Sequence, residues 1–329
     1  MASLRALGRF FEQKIGLHRL GIFVSVVIIA VAAVVLYRKL HNISVSKVLN
    51  AVVTVEIYDV AIAALFVALG YFTLTFYDLF ALRTIGRKDV PYRIAALGGF
   101  TSYSVGHNVG ASVFTGGAVR YRIYSHWGLD AIEVAKLCFI AGLTFWLGNV
   151  TVLGFGFAYH PAAASDIDLL PLWANRGLGL VALAVLAAYV AWVWRTPRVI
   201  GRQNWEVRLP SGPLTLLQIA IGIVDLSCCA LAMYMVVPNE PHIQFVDVGV
   251  IFIAATLLGF ASHSPGGLGV FDATMLIALW EFDAEELLAG LLIFRLLYYI
   301  VPFILALIVL GIREFRLHFL LDRTNVGDG

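Results

Sequence analysis

Charge, cysteine and nucleotide-binding motifs are all scarce in this 329-residue chain. Only 13% of its residues are charged, too few and too scattered for a nucleic-acid patch or a charged disordered tail. The three cysteines, Cys138, Cys228 and Cys229, lie inside apolar runs without disulfide or metal-ligand spacing and read as small packed hydrophobes. No P-loop, no dinucleotide-binding glycine pattern followed by a suitable acid and no G-x-S-x-G elbow is present, which removes the commonest enzyme classes. What the chain has instead is hydrocarbon: 60% of its residues are hydrophobic and its mean hydropathy is +0.88. The apolar residues come in long runs, as in a polytopic membrane protein.

The segment 1–19 carries Arg5, Arg9, Lys14 and Arg19 among leucines and isoleucines at helical spacing, and reads as a basic interfacial helix. The run from Ile22 to Leu36 resembles a signal peptide, with Ala30-Val31-Ala32 as a cleavage-like site. That site lies inside the apolar stretch, so an uncleaved first transmembrane helix is expected. Further runs fall near 57–82, 131–157, 176–194, 212–237 and 284–311, each long enough to cross a hydrocarbon core of about 30 Å at about 1.5 Å per residue. Two more segments, 94–119 and 247–282, are interrupted by glycine, proline, histidine and serine.

Loop charges suggest a topology. Arg83, Arg87, Lys88 and Arg93 precede the first interrupted segment and Arg120 and Arg122 end it, so both flanks are expected in the cytoplasm. The loops 158–175 and 238–246 lack Lys and Arg, whereas 195–208 has four arginines, which puts the first two outside and the third inside. The last helix ends at Arg313, Arg316 and Arg323 inside, so the second interrupted segment begins and ends outside. Both termini are then cytoplasmic. Arg38, Lys39 and Lys47 dissent, because their loop would be external.

The two halves correspond at an offset of roughly 155 residues: His107 matches His263 and Gly110 matches Gly266. Because one half starts inside and the other outside, the expected fold is an all-α polytopic membrane protein of two inverted-topology repeats, with about six full transmembrane helices and two re-entrant helical hairpins. The first repeat is 20–157 with hairpin 94–119 and the second is 176–313 with hairpin 247–282. They are joined by an external loop, 158–175, and followed by a cytoplasmic tail, 314–329. Hydrocarbon tolerates polar, irregular backbone only where protein buries it or water solvates it. The tips, with His107, Asn108, Gly110 and Ser112 in one and His263, Ser264, Pro265, Gly266, Gly267 and Gly269 in the other, are therefore expected to line an internal path.

The run Pro265 to Asp272, the motif Arg295-Leu-Leu-Tyr298-Tyr299-Ile-Val-Pro302 and Gly116-Gly117-Ala118-Val119-Arg120 together resemble the membrane domain of the bacterial lysyl-phosphatidylglycerol synthase/flippase (multiple peptide resistance factor) family and its stand-alone relatives. The resemblance covers nearly the whole chain. It implies movement of phosphatidylglycerol-type lipids, including aminoacylated ones, across the bacterial inner membrane. The chain stops after its last helix, so the resemblance implies the flippase-like half without the soluble domain that takes an amino acid from aminoacyl-tRNA.

Substrate contact is expected from Arg120, Asp225, Asp272, Arg295, Tyr298 and Tyr299. Arg295 lies mid-helix, where an unpaired cation costs at least about 2.5 kcal/mol, so it needs a partner: Asp225 in a structural ion pair, or a lipid phosphate. Arg120 reads as an interfacial anchor or a phosphate ligand. Asp272 can neutralise an arginine, cap a half-helix or meet a cationic headgroup. His107 and His263 suit a polar network at the hairpin tips or proton coupling. Asp59 and Asp78, near the ends of the second crossing, are expected to reach the interface. Tyr298 and Tyr299 can pack or bind a headgroup.

No cofactor or metal is implied. The expected partners are the membrane and a phospholipid, with a homo-oligomer and a separate lipid-modifying synthase as further candidates and nucleic acid excluded. Two other readings stay open: an intramembrane enzyme acting on a lipid or polyprenyl phosphate through His107, His263 or Asp272, and a lipid-binding accessory protein that moves nothing.

Overall fold

The computed structural model describes residues 17–41, 43–168, 170–196, 198–202 and 205–326. The interfacial segment expected at 1–19 lies outside these residues up to 16. Its last residues belong to α1, Leu17–Leu40, whose described side chains begin at Val26. The chain then builds α2 (Val45–Thr54), α3 (Ile57–Thr84), α4 (Tyr92–Val109), α5 (Ser112–Tyr124), α6 (Ala131–Tyr159), α7 (Pro161–Asp168) and α8 (Leu172–Trp194). A two-stranded hairpin, β1 (Val199–Arg202) and β2 (Trp205–Arg208), leads to α9 (Gly212–Tyr234), α10 (Phe245–Ala261), α11 (Val270–Ala278), α12 (Ala284–Arg295) and α13 (Val301–Val326). Five stretches are long and apolar enough to cross a membrane: α3, α6, α8, α9 and the combined run Ala284–Arg316. The protein is a multi-pass membrane protein.

Local chemistry sets the boundaries. Asp130 caps α6 by accepting from the Glu133 amide, and the Glu133 carboxylate accepts from the Asp130 amide in return. Asp283 accepts from the amides of Glu285 and Glu286 at the start of α12. Where α6 crosses α9 the backbones nearly touch: a Cβ on Gly148 would lie 2.8 Å from the Cα of Gly222, so only hydrogen fits on either side. The core lies between α3, α9, α10, α11 and α12, where Phe271 stacks on Phe294 and Phe252 meets both edge to face, with centroids 5.4–6.2 Å apart. Helix α8 is largely unburied and offers Trp173, Leu180, Val181 and Val185 outward, as a lipid-facing helix does.

Four segments differ from their expected form. The connection 37–56 is half helix, because Val48 and Val52 of α2 pack inward while α2 lies against α12, with Lys47 3.9 Å from Glu285. The stretch 195–208 is not a plain loop: Ile200 pairs with Val207 in the β-hairpin, and Val207 and Leu209 are buried against the bundle. Within 158–175 the chain forms α7. The last apolar run is not a uniform helix either, since a π-helical turn at Leu296–Ile300 separates α12 from α13.

Candidate functional site

The two glycine-rich stretches meet. Helices α4 and α5 are joined by Gly110 (φ 83°) and Ala111 (φ 46°), and α10 is joined to α11 through a tip in which His263, Gly266, Gly267 and Gly269 all take positive φ. A Cβ on Gly110 would lie 3.3 Å from the Cα of Pro265, so the tips touch backbone to backbone. Glycine is needed at 110 twice over, for its left-handed backbone and for this close approach. Ser112 opens α5 half-buried, and its carbonyl lies against Gly106.

The second tip is fastened to α12 by Arg295. Its Nε donates to Asp272 Oδ1 at 2.9 Å, Nη2 to Oδ2 at 2.7 Å and Nη1 to the Gly266 carbonyl at 3.1 Å. The guanidinium also lies over the rings of Tyr299 and Phe271 at 5.6 and 5.7 Å. Asp272 in addition accepts from the Gly269 amide at 3.1 Å, so it neutralises the arginine and caps α11 at once. The expected pairing of Arg295 with Asp225 is not made. Asp272 is the closer partner because it sits three residues into α11, on the turn that Arg295 faces.

Tyr298 and Tyr299 occupy the π-helical turn, and Pro302 accounts for it. Proline has no amide to donate to the carbonyl four residues back, which is that of Tyr298, and its ring crowds that carbonyl. The Tyr298 carbonyl instead accepts from the Tyr71 hydroxyl of α3 at 2.9 Å. Asn108 Nδ2 donates to the Tyr299 carbonyl at 3.0 Å and to the Ser104 carbonyl at 2.8 Å. The break in the last helix is thus stitched to α3 and to the first tip.

The two histidines stand in different surroundings. His107 lies among rings, 5.6 Å from Tyr103, 5.7 Å from Phe260 and 6.2 Å from Tyr298. His263 is exposed, with Nδ1 3.0 Å from the Ala261 carbonyl. Ser264 bonds to the Ser262 hydroxyl, and its carbonyl accepts from the Gly267 amide at 3.1 Å.

A second buried ion pair lies toward the far end of α3. Asp78 is fully buried and does not reach an interface. Its oxygens accept from Arg120 Nε at 3.0 and 3.1 Å, from Arg120 Nη2 at 2.7 Å and from the Tyr124 hydroxyl at 2.7 Å. Arg120 is thus itself buried and held by the Asp78 carboxylate rather than left exposed as an anchor. Arg120 lies 4.9 Å over Tyr103, Tyr103 meets His107, His107 meets Tyr298, and Tyr298 meets Tyr299 at 5.1 Å. A ribbon of rings thus connects the two arginine–aspartate clamps. Asp225 stands beside it, accepting from Tyr77 at 3.0 Å and Thr73 at 3.2 Å. Asp59, by contrast, does reach a surface hollow, which it shares with His242 and Asn239.

Sequence reasoning left Asp78 at an interface and missed Tyr77, Tyr71, Tyr103 and Tyr124. Pro302 inside an apolar run was the available signal for the helix break. Among the described residues no group of three His, Cys, Asp or Glu could hold a metal ion. The cysteines Cys138, Cys228 and Cys229 are free.

With this geometry in hand, comparison with known proteins finds that residues 22–306 match the family described as the lysylphosphatidylglycerol synthase TM region. An uncharacterised protein of Synechocystis sp. (strain ATCC 27184 / PCC 6803 / Kazusa) is 29% identical over 76% of this chain and 78% of its own. The inner membrane protein YbhN of Escherichia coli (strain K12) is 28% identical over 74% of this chain and 76% of its own. The phosphatidylglycerol lysyltransferase of Staphylococcus haemolyticus (strain JCSC1435) is 28% identical over 88% of this chain but only 33% of its own length. This chain therefore spans about a third of that relative.

Proposed function

Since this chain belongs to the lysylphosphatidylglycerol synthase TM region family, we propose that it is a carrier that moves an anionic phospholipid, phosphatidylglycerol or an aminoacyl derivative, between the leaflets of the bacterial inner membrane. It is read as two repeats of inverted topology, with 94–119 and 247–282 as hairpins that enter from opposite faces and both termini in the cytoplasm. The observation that carries this reading is the meeting of Gly110 with Pro265 among long apolar helices. Polar turns at that depth are tolerated only where protein or a water-filled cavity surrounds them, and a passing headgroup needs such a lining.

Arg295 and Arg120 supply the electrostatics. Each is held bidentately by an aspartate, as a phosphate would hold it. A phosphate entering beside Arg295 competes with Asp272, and winning that contest frees the turn at Gly266 that the same arginine holds. Binding thereby loosens the second tip. The ribbon of rings between the clamps, three tyrosines and His107, covers the path while the acyl chains stay in the bilayer. Nothing in this cycle makes or breaks a covalent bond, so the chain acts as a carrier rather than an enzyme. A separate synthase is the partner proposed to supply an aminoacylated lipid.

The test is purified protein in liposomes carrying labelled phosphatidylglycerol, with outer-leaflet label quenched over time. Faster transbilayer movement than in protein-free liposomes is expected, and its loss in Arg295→Gln. If no common anionic lipid moves faster, the carrier reading fails. Product formed from the lipid would favour an enzyme, and tight binding without movement an accessory role.

A further inference from the structure

Only two carboxylates among the described residues are buried, Asp78 and Asp225, and they are treated differently. Asp78 has the Arg120 guanidinium bound to both of its oxygens. Asp225 has no cation. Oδ2 accepts from the Tyr77 hydroxyl at 3.0 Å and Oδ1 from the Thr73 hydroxyl at 3.2 Å, and that hydroxyl is also 2.6 Å from the Gly70 carbonyl. One proton cannot serve both of Thr73's acceptors, so when Thr73 donates to Gly70 the carboxyl loses half of its support. A carboxylate withdrawn from water with so few donors is strongly disfavoured against its protonated form, which is neutral and can itself donate.

Among the described residues its surroundings offer no neutralising charge. The titratable groups that face Asp225 are Tyr71 and Tyr77 of α3, Tyr103 of α4, Tyr298 of the π-helical turn, and Cys228 and Cys229 of its own helix. The elements α6, α8, α10 and α12 also pack on α9, and of their cations Lys136, Arg176 and Arg295 none is hydrogen-bonded or ion-paired to Asp225: Arg176 donates to the Ala158 carbonyl and Arg295 is held by Asp272. Glu133 pairs with Arg87, Asp247 with His160 and Arg295 with Asp272. The location matters too. Asp225 lies where α9 crosses α3, its Oδ1 beside Gly70, at which a Cβ would be 3.8 Å away. On the repeat reading above these two helices occupy corresponding places in the two halves, so rocking of one half against the other would open or close this crossing.

We infer that Asp225 is a proton-binding site, occupied when the α3–α9 crossing is closed and emptied when it opens to water. The step is a simple proton transfer: a carboxylate oxygen takes a proton from water to become a carboxylic acid, and returns it on the other side. Coupling to lipid movement rests on the carrier reading above, whereas the proton site itself does not.

Two measurements test it. Infrared difference spectra of the purified protein near neutral pH should contain a protonated-carboxyl band that Asp225→Asn lacks and Asp225→Glu keeps. In liposomes, a gradient of about one pH unit should shift the steady-state distribution of labelled phosphatidylglycerol by up to about tenfold. In Asp225→Asn the ratio of movement with and without the gradient should fall to about one. Absence of the band from the parent overturns the proton site, and lipid movement that ignores a pH gradient or follows a sodium gradient instead overturns its coupling to transport. If the band is present and no lipid moves under any condition, the carrier reading fails and the proton site stands.

Discussion

The hydroxyl of Tyr71 donates to the carbonyl of Tyr298 across 227 residues of sequence, and it does so at the carbonyl that Pro302 leaves without a helical amide. Two changes separate cause from consequence. Tyr71→Phe should strand a buried carbonyl and lower stability by about 1–3 kcal/mol, read as a drop in thermal midpoint in detergent. Pro302→Ala gives α13 an amide to offer the same carbonyl, so Tyr71→Phe in that background should cost clearly less. Equal losses in both backgrounds would mean that the hydroxyl does not substitute for the missing amide.

The clamp of Asp78 and Arg120 should behave as a unit. Removing one partner, as in Asp78→Asn or Arg120→Gln, leaves an uncompensated buried charge and should cost about 3–5 kcal/mol. The double variant Asp78→Asn/Arg120→Gln should be more stable than either single one. Additive losses in thermal melting would show that the pair is not the main interaction of either residue.

How much of this was legible in the sequence depended on whether a residue's partner is near or far along the chain. Gly110, Gly266 and Asp272 announce a turn or a cap by local chemistry alone, and Arg295 stands out in an apolar run. Asp78 did not, because its partner Arg120 is 42 residues away and only the packing of α5 on α4 and α6 brings it to α3. Asp225 was visible as an intramembrane acid. Its lack of a cation was not, since Arg295 seemed free to supply one until Asp272 was seen to hold it. The amphipathic α2 was readable from Val45, Val48, Val52 and the preceding Ser44, but at 10 residues it is too short to stand out as a crossing beside its longer apolar neighbours.

Arg87 ties the turn after α3 to the turn before α6. It donates to both oxygens of Asp89 at 3.0 Å, to Glu133 at 3.1 Å, to the Gly128 carbonyl and to the Trp127 carbonyl. The guanidinium holds the Asp89 carboxyl below its ordinary value. A depressed carboxyl stabilises the fold fully above its unfolded value and loses that contribution as pH falls through the depressed one. Proteolysis between residues 85 and 91 should therefore rise as pH drops below the ordinary carboxylate range. Asp89→Asn should raise cleavage at neutral pH and flatten that dependence. A variant whose cleavage tracks the parent at every pH would show that Asp89 does not restrain this turn.

The contact of Gly110 with Pro265 sets the most direct test of whether the tips must part. An ideal Cβ at 110 lies 3.3 Å from the Cα of 265, which puts the two Cα atoms within the span a disulfide bridges. In the double variant Gly110→Cys/Pro265→Cys, position 110 (φ 83°, ψ 177°) lies in a backbone region essentially reserved for glycine, so the fold is strained and the reduced protein is its own reference. Oxidation should join the tips, seen as a shift that reductant reverses on a gel after cleavage between the halves. If a headgroup passes between them, the oxidised protein should lose most of its lipid movement in liposomes and recover it on reduction. Full movement with the tips joined would send the path elsewhere, past the Arg120 clamp and not between the hairpins. Movement lost in both states would point instead to backbone strain at position 110, and the single variant Pro265→Cys, which keeps glycine there, would then be expected to retain it.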